Sequence, residues 1–194
     1  MLVAIVKYNA GNVESVTNAL KRLGVESVVS DDAEVLQTAD KVIFPGVGEA
    51  STAMNYLREK NLDGVIKSLK QPVFGICLGM QLLCESSEEN ETKCLGILPS
   101  RVRRFTTGNF KIPQIGWNNI FALESPLFAN IAEDSFVYFV HSFYVETGAE
   151  SIAACDYGVE FSAAARHENF YAVQFHTEKS GAVGEKILEN FLKI

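Results

Sequence analysis

Short apolar runs alternate with segments of helical periodicity through the first half of the chain. A continuous apolar run, typical of a strand covered on both faces, lies at residues 2–6, and further short strands are predicted at 27–29, at 42–44 and from 73 onward. Helices are predicted between them at residues 13–23, around 35–36, and at 50–60 and 62–69. This alternation indicates a parallel, doubly wound sheet with right-handed crossovers. Such sheets hold their sites at the carboxyl ends of the strands.

Local polar signals mark where two of these helices begin. Residues 9–12 predict a turn whose last residue, Asn12, caps the first helix, and Gly24 is its stop. Asp31 or Asp32 is the predicted cap of the second helix.

The second half of the chain has a different pattern. A polar, acidic segment at residues 85–92 is either a solvated loop or a loop that covers a substrate. Short runs between turn residues then predict antiparallel strands added to the sheet, at 101–105, 117–121, 136–140, 152–155, 161–166 and 170–175. A last helix is predicted at 181–192. The expected fold is therefore α/β, a doubly wound, mostly parallel central sheet flanked by helices, with an antiparallel portion in the C-terminal half, in one domain spanning residues 1–194.

Composition narrows the possible functions. With 47% hydrophobic and 21% charged residues among 194, the chain is expected to fold rather than stay disordered. A net charge of −7 argues against nucleic acid as a partner. No apolar run reaches the roughly 18 residues of a membrane span, and the amino terminus shows no cleavable signal pattern. We expect a soluble, cytoplasmic protein.

The four cysteines show no metal-ligand or disulfide spacing. We therefore expect no metal and no structural disulfide. One of them, Cys77, lies between Gly75 and Gly79, after an apolar run and before a segment that can be helical. This spacing is the thiol form of the nucleophile elbow, in which small neighbours let strand and helix approach closely. The alternative is a buried structural cysteine between two packing glycines.

A cysteine nucleophile needs a base, and the chain has three histidines. His167 lies in a predicted hairpin turn, where a surface position is expected, and His141 follows a predicted strand and could line a pocket. His176 stands two residues before Glu178, and side chains at that spacing in an extended segment point the same way. The pair suits a base and its orienter beside Cys77, although this short motif is also common by chance.

The segment Pro45-Gly46-Val47-Gly48 follows another predicted parallel strand. Its glycines free backbone N–H groups to face a developing oxyanion, and the N–H of Leu78, after the nucleophile, would supply a second donor. A tight loop before a helix is the alternative. A phosphate-binding loop is less apt, because the Walker lysine and the G-x-G-x-x-G spacing are missing.

Together these motifs resemble the class I, triad-type glutamine amidotransferases over nearly the whole chain. Several segments further resemble the glutaminase subunits of imidazole glycerol phosphate synthases, namely residues 8–12, 45–48, 79–83, 113–118, 138–142 and 176–180. The resemblance implies hydrolysis of L-glutamine through a cysteinyl thioester, without a cofactor. It also implies a heterodimer with a (β/α)₈-barrel cyclase, which takes the channelled ammonia for histidine biosynthesis.

The resemblance assigns roles to individual residues. It implies Cys77 as nucleophile, His176 as general base and acid, and Glu178 as orienter, with Val47 and Leu78 forming the oxyanion hole. The N–H of Val47 must swing inward to complete that hole, which suggests a gate opened by the partner. The implied substrate-binding residues are Gly46, Gly48, Gln81, Glu89, His141, Ser142 and Phe143.

The resemblance also predicts a docking face and shows departures from the family pattern. Trp117, Asn118 and Lys179 are candidates for docking, the alternative being a core aromatic with surface polar residues. The departures, which affect the oxyanion loop and the docking face, are Glu49-Ala50, Gln114, Phe143 and Thr177.

Three other functions remain open on the sequence. A glutaminase of the same build could serve another ammonia acceptor, such as a barrel enzyme of amidino-sugar synthesis. An inactive flavodoxin-like binding module could use the same sheet to hold a partner. A cysteine peptidase is the third alternative.

Overall fold

The computed structural model describes residues 1–9, 12–106 and 110–194. The turn predicted at 9–12 includes Ala10 and Gly11, which lie outside the described residues.

The helices follow the predicted order. They are α1 (Val13–Arg22), α2 (Ala33–Thr38), α3 (Ala50–Glu59), α4 (Leu62–Ser68), α5 (Leu78–Leu83) and α6 (Gly181–Lys193). Asp32 caps α2 as predicted, since its side chain accepts from the N–H groups of Glu34 and Val35. The expectation for Asn12 was wrong, because it precedes α1 in a left-handed conformation and its side chain makes no capping bond.

The strands are β1 (Val3–Val6), β2 (Ser27–Ser30), β3 (Lys41–Phe44), β4 (Val73–Ile76), β5 (Ser86–Ser87), β6 (Thr92–Lys93), β7 (Arg101–Arg104), β8 (Gln114–Ile120), β9 (Ser135–His141), β10 (Phe143–Val145), β11 (Ser151–Asp156), β12 (Glu160–His167) and β13 (Phe170–Val173). The parallel part has the order β2-β1-β3-β4-β13. This confirms the predicted parallel sheet and makes β3 and β4 neighbours.

The antiparallel part extends the same sheet through β12, β10 and β7, and β11 pairs with β12. Three details differ from the prediction. Strand β13, predicted among the antiparallel strands, is antiparallel to β12 but parallel to β4, so it joins the two parts of the sheet. Strands β8 and β9 pair only with each other in a separate two-stranded sheet, and the short strand β10 was not expected. The acidic segment is not a simple loop, because β5 and β6 enclose a 3-10 turn at Glu89–Glu91.

Two apolar layers cover the faces of the sheet. One contains Phe44, Met54 and Leu83, and the other contains Phe74, Phe175 and Phe191. This burial, at about 25 cal/mol per Å² of apolar surface, holds the strand ends in place around the site. Among the described helices, none has the length and apolar character needed to cross a lipid bilayer.

Candidate active site

Cys77 lies on a sharp turn between β4 and α5. Its backbone has φ 54° and ψ −109°, an unusual conformation for a residue with a side chain. A Cβ on Gly79 would lie 1.8 Å from the Phe44 carbonyl oxygen, and a Cβ on Gly75 would lie 3.0 Å from Leu83 Cδ1. The glycines are therefore required by close packing, as the elbow motif predicts.

The structure brings together the three residues predicted to form the triad. His176 Nδ1 lies 2.7 Å from Glu178 Oε1, and both side chains are buried. The Cys77 thiol is within hydrogen-bonding reach of the His176 ring. The expected extended geometry was only half right, because His176 is extended whereas Glu178 lies in a 3-10 turn at Thr177–Lys179. With Nδ1 held by the carboxylate, Nε2 is left for the thiol.

The electrostatics of this group favour a charged ring. Burial lowers the pKa of His176, but hydrogen bonds to Cys77 and Glu178 outweigh it and raise the pKa from 6.5 to about 10. Burial opposes the charge of Glu178, yet the bonds to His176 and Asn12 lower its pKa overall. A protonated imidazole beside a sulfur atom favours the thiolate, the reactive form.

Asn12 is a site residue to which the sequence analysis assigned no role in the site. Its Nδ2 donates to Glu178 Oε1 and lies 3.4 Å from His176 Nδ1. The side chain predicted to cap α1 therefore supports the carboxylate of the triad. Its position shortly after β1, at the carboxyl edge of the parallel sheet, was the available signal.

Gln174 is a second residue without a predicted role. Its Nε2 lies 3.7 Å from Cys77 Sγ, and its Oε1 accepts from Gln81 Nε2 at 3.0 Å. Gln81 Nε2 also donates to the Phe143 carbonyl at 3.0 Å. A polar residue inside the apolar run that leads to His176 was the signal in the sequence.

The glycine-rich loop after β3 lies beside the elbow, as its strand position predicts. The N–H of Leu78 donates to the Gly46 carbonyl at 3.2 Å. The phenol of Tyr8 donates to the Pro45 carbonyl at 2.6 Å, which anchors the start of the loop. The Leu78 N–H, one of the two predicted oxyanion donors, is thus already hydrogen-bonded to the loop. The same loop carries the other predicted donor, the N–H of Val47.

A cavity of about 300 Å³ opens in front of the thiol. This volume lies at the lower end of the range for small-molecule sites. All the predicted site residues except Gly46 and Glu178 line it, and so do three residues without a predicted role in binding the substrate. The lining consists of Val47, Gly48, Cys77, Leu78, Gln81, Glu89, Pro113, Val140, His141, Ser142, Phe143, His176 and Lys179.

Two polar side chains on the cavity wall are partly or wholly buried. Glu89 Oε2 accepts from the N–H of Ala50 at 2.7 Å, and burial raises the pKa of Glu89 despite that bond. His141 Nδ1 lies 2.7 Å from the Phe143 carbonyl, so Nδ1 carries the proton. Burial lowers the pKa of His141 to about 4, which keeps this ring neutral, and its Nε2 has no partner among the described residues.

The predicted docking residues lie in different places. Trp117 is 55% exposed on β8, so the alternative of a core aromatic is wrong. Asn118 is turned to the Asp156 carbonyl, to which it donates at 2.8 Å. Lys179, the third candidate for docking, lines the cavity.

The remaining histidine and cysteines lie outside the site. His167 ends β12 at the surface, 3.9 Å from Glu150 Oε1, as expected. Cys84, Cys94 and Cys155 are buried and unpaired. Burial raises the pKa of Cys94 and of Cys155 to about 12, so these thiols stay protonated.

Comparisons with known proteins agree with the geometry of the site. The family model "Glutamine amidotransferase class-I" matches residues 4–194. Subunit HisH of imidazole glycerol phosphate synthase from Bacteroides thetaiotaomicron is 58% identical over 196 residues, with 100% of both chains covered. The subunit of the same name from Pasteurella multocida is 44% identical, with 98% of this chain and 97% of that one covered.

Solved structures share the fold at low identity. A crystal structure of a glutamine amidotransferase superposes with a TM-score of 0.76 at 21% identity, covering 98% of this chain and 97% of that one. A chain of PurLQS from Thermotoga maritima superposes with a TM-score of 0.74 at 19% identity, covering 99% and 97%. At these identities the likeness shows the α/β architecture alone.

Proposed function

The chain belongs to the class I glutamine amidotransferase family, and we propose that it is the glutaminase subunit of an imidazole glycerol phosphate synthase. One observation carries the chemical part of the proposal. The His176 ring bridges the Cys77 thiol and the Glu178 carboxylate at the wall of a cavity. The full-length relatives named HisH support the subunit assignment.

The chemistry follows from the arrangement of the three triad groups. The Cys77 thiolate attacks the side-chain carbonyl carbon of glutamine and forms a C–S bond. The C–N bond then breaks as His176 gives its proton to the departing nitrogen, which leaves as ammonia. Water attacks the thioester while neutral His176 takes a proton from it, and the C–S bond breaks. Glutamate leaves, and the thiolate and imidazolium are restored.

The cavity wall supplies groups suited to the rest of the substrate. We assign Glu89 and Gln81 as acceptors for the α-ammonium group of glutamine, because a free amine needs oxygen acceptors. His141, Ser142 and Phe143 line the cavity beside Gln81. Gly48 lines the cavity with φ +113°, a backbone conformation that residues with side chains rarely adopt, and Gly46 acts through its backbone.

The oxyanion site is proposed to be gated. The Gly46 carbonyl holds the Leu78 N–H, so in this conformation that donor is not free for the oxyanion. Rotation of the loop would release Leu78 and turn the N–H of Val47 inward, giving the two donors that a tetrahedral intermediate needs. One such donor is typically worth about 3 kcal/mol in the transition state, which keeps glutamine turnover slow until the loop moves.

The partner is proposed to be a (β/α)₈-barrel cyclase that docks on the outer face of the β8–β9 sheet. Ile115, Trp117 and Phe136 are 62%, 55% and 57% exposed there, a concentration of apolar surface that favours an interface. The side chain of Tyr138 lies on the same face, and its backbone carbonyl accepts from the backbone N–H of His176 at 2.9 Å. Docking is therefore mechanically connected to the catalytic base, and ammonia would pass directly to the cyclase in the cytoplasm.

A reconstituted pair tests the proposal. Glutamine turnover is measured with and without a histidine-pathway cyclase and its ribotide substrate, and strong stimulation is expected. Cys77→Ala should abolish glutamine-dependent product formation and leave ammonia-dependent formation intact, whereas Cys155→Ala should preserve both. Stimulation by another acceptor enzyme only would favour the amidino-sugar alternative. Unchanged glutamine use in Cys77→Ala would refute the thioester mechanism and favour a binding module.

A further inference from the structure

Gln174 is a fully buried polar residue beside the nucleophile. It is 0% exposed and follows β13, between the apolar residues Val173 and Phe175. Its backbone N–H donates to the Ala163 carbonyl at 2.8 Å, which fixes the main chain in the sheet. Burying an amide costs free energy unless its polar groups are hydrogen-bonded. The partners of the Gln174 amide therefore determine which way it faces.

The orientation of two amides is determined by one backbone carbonyl. The Phe143 carbonyl can only accept, so the group of Gln81 that lies 3.0 Å from it is the NH₂. The same NH₂ lies 3.0 Å from Gln174, which must therefore present its oxygen. The remaining NH₂ of Gln174 then points at Cys77 Sγ, 3.7 Å away. Reversing either amide would place two donors or two acceptors against each other.

This chain of bonds has two effects on the reaction. An N–H aimed at sulfur favours the thiolate over the thiol. Because the NH₂ of Gln81 is held by two acceptors, its Oε1 is the atom left for the cavity that Gln81 lines. That oxygen is an acceptor suited to the ammonium group of an α-amino acid.

We propose that Gln174 is a positioning residue of the glutaminase site, which donates to the Cys77 sulfur and orients the Gln81 amide toward an α-amino substrate. The inference rests on the proposed function of Cys77 as nucleophile. The competing explanation is that Gln174 only satisfies buried groups. Asn190 provides the matched comparison, since it is a buried amide that donates to the Leu127 and Ala129 carbonyls at 3.0 and 2.8 Å.

Two variants separate the two effects. Gln174→Glu keeps an acceptor for Gln81 but loses the donor to sulfur, whereas Gln174→Met loses both. Asn190→Leu is the structural control. Alkylation of Cys77 by iodoacetamide is followed against pH by peptide mass spectrometry, and thermal unfolding is followed by circular dichroism. Glutamine kinetics are measured with the stimulating cyclase.

The half-maximal pH of Cys77 alkylation should rise by about one unit in Gln174→Met, a roughly tenfold loss of rate at lower pH, and by more in Gln174→Glu, where a carboxylate opposes the thiolate. The KM for glutamine should rise several-fold in Gln174→Met and remain near wild type in Gln174→Glu. Asn190→Leu should lower thermal stability without moving either quantity.

Folded Gln174 variants with the wild-type alkylation profile would overturn the inference, and so would an equal shift in Asn190→Leu. The alkylation readout needs no glutamine. A wild-type pair that fails to turn over glutamine therefore contradicts the proposed function, while the comparison of alkylation profiles still decides the orientation of Gln174.

Discussion

Two sides of the cavity differ in how ready they are for the reaction. On one side, the buried His176 ring is hydrogen-bonded to the Glu178 carboxylate and lies within reach of the Cys77 thiol. On the other side, the Leu78 N–H is held by the Gly46 carbonyl, so one donor of the oxyanion hole is occupied. The nucleophile and its base are therefore in place, whereas the oxyanion hole that stabilises the tetrahedral intermediate is incomplete.

This difference indicates which part of the site can be switched at the lowest cost in free energy. Breaking the triad would leave buried charges without partners, which costs several kcal/mol. Rotating one peptide in a glycine-flanked loop exchanges a single backbone bond, which is worth about 1 kcal/mol. A partner can therefore control turnover through the loop after β3 and leave the triad unchanged.

The largest expected effect comes from breaking the triad. Glu178→Gln retains the shape of the side chain but can present an N–H to His176 Nδ1, which favours the wrong tautomer. We expect both basal and stimulated glutamine turnover to fall by about 10⁴, with ammonia-dependent synthesis intact. Glu189→Gln, at a partly exposed position of α6 outside the site, is the control. A loss confined to stimulated turnover would contradict the preassembled triad.

The second largest effect is expected from blocking the loop after β3, and it should be confined to stimulated turnover. Val47→Pro removes the N–H proposed to complete the oxyanion hole, whereas Val47→Ala keeps it. Stimulated turnover in Val47→Pro should fall by about 10² to 10³ and approach the basal rate, with Cys77 alkylation unchanged. If Val47→Pro retained full stimulation, the loop would not be the gate.

A smaller effect is expected from the support of the triad. Asn12→Ala removes the donor to Glu178 Oε1, and a hydrogen bond to a charged group is worth about 1.5–3 kcal/mol. Basal and stimulated kcat should each fall by at least about tenfold, with KM unchanged. Asn18→Ala, at an exposed position of α1, should leave both rates unchanged. A selective loss of stimulation would place Asn12 on the gate side instead.

The smallest effect on turnover is expected at His141, where the main result is a pH dependence of stability. Its pKa is about 4 in the folded state against 6.5 ordinarily, so the unfolded chain binds the extra proton between these values. The free energy of unfolding should therefore fall as the pH drops from 6.5 to 4, by about 3 kcal/mol from this group. His141→Gln should flatten that decline in urea unfolding experiments, whereas His167→Gln should not. Parallel profiles of wild type and His141→Gln would contradict a neutral buried ring.

Much of the fold could be predicted because local pattern and final structure agree. Continuous apolar runs became β1, β3 and β4 because burial on both faces leaves little place for polar side chains. The short strand β10 and the separate β8–β9 sheet were missed because strand partners depend on contacts distant in sequence.

The residues of the site likewise fall into those that could be predicted and those that could not. Cys77, His176 and Glu178 could be named because their motifs are local and their chemistry needs those residue types. Asn12 and Gln174 were not assigned, because an amide has no reactive signature and its role depends on what lies opposite it. The structure places these amides against Glu178 and Cys77, more than 90 residues away in each case.

The amino-acid sequence alone determined the strand and helix alternation, the elbow glycines and the chemical groups available for acyl transfer. These depend on side-chain size, apolar pattern and reactivity, which are properties of single residues and short segments. Only the tertiary structure decided that the Gly46 carbonyl occupies the Leu78 donor and that two buried amides orient one another. Hydrogen bonds are directional and short, so which donor meets which acceptor is settled only when distant parts of the chain are packed together.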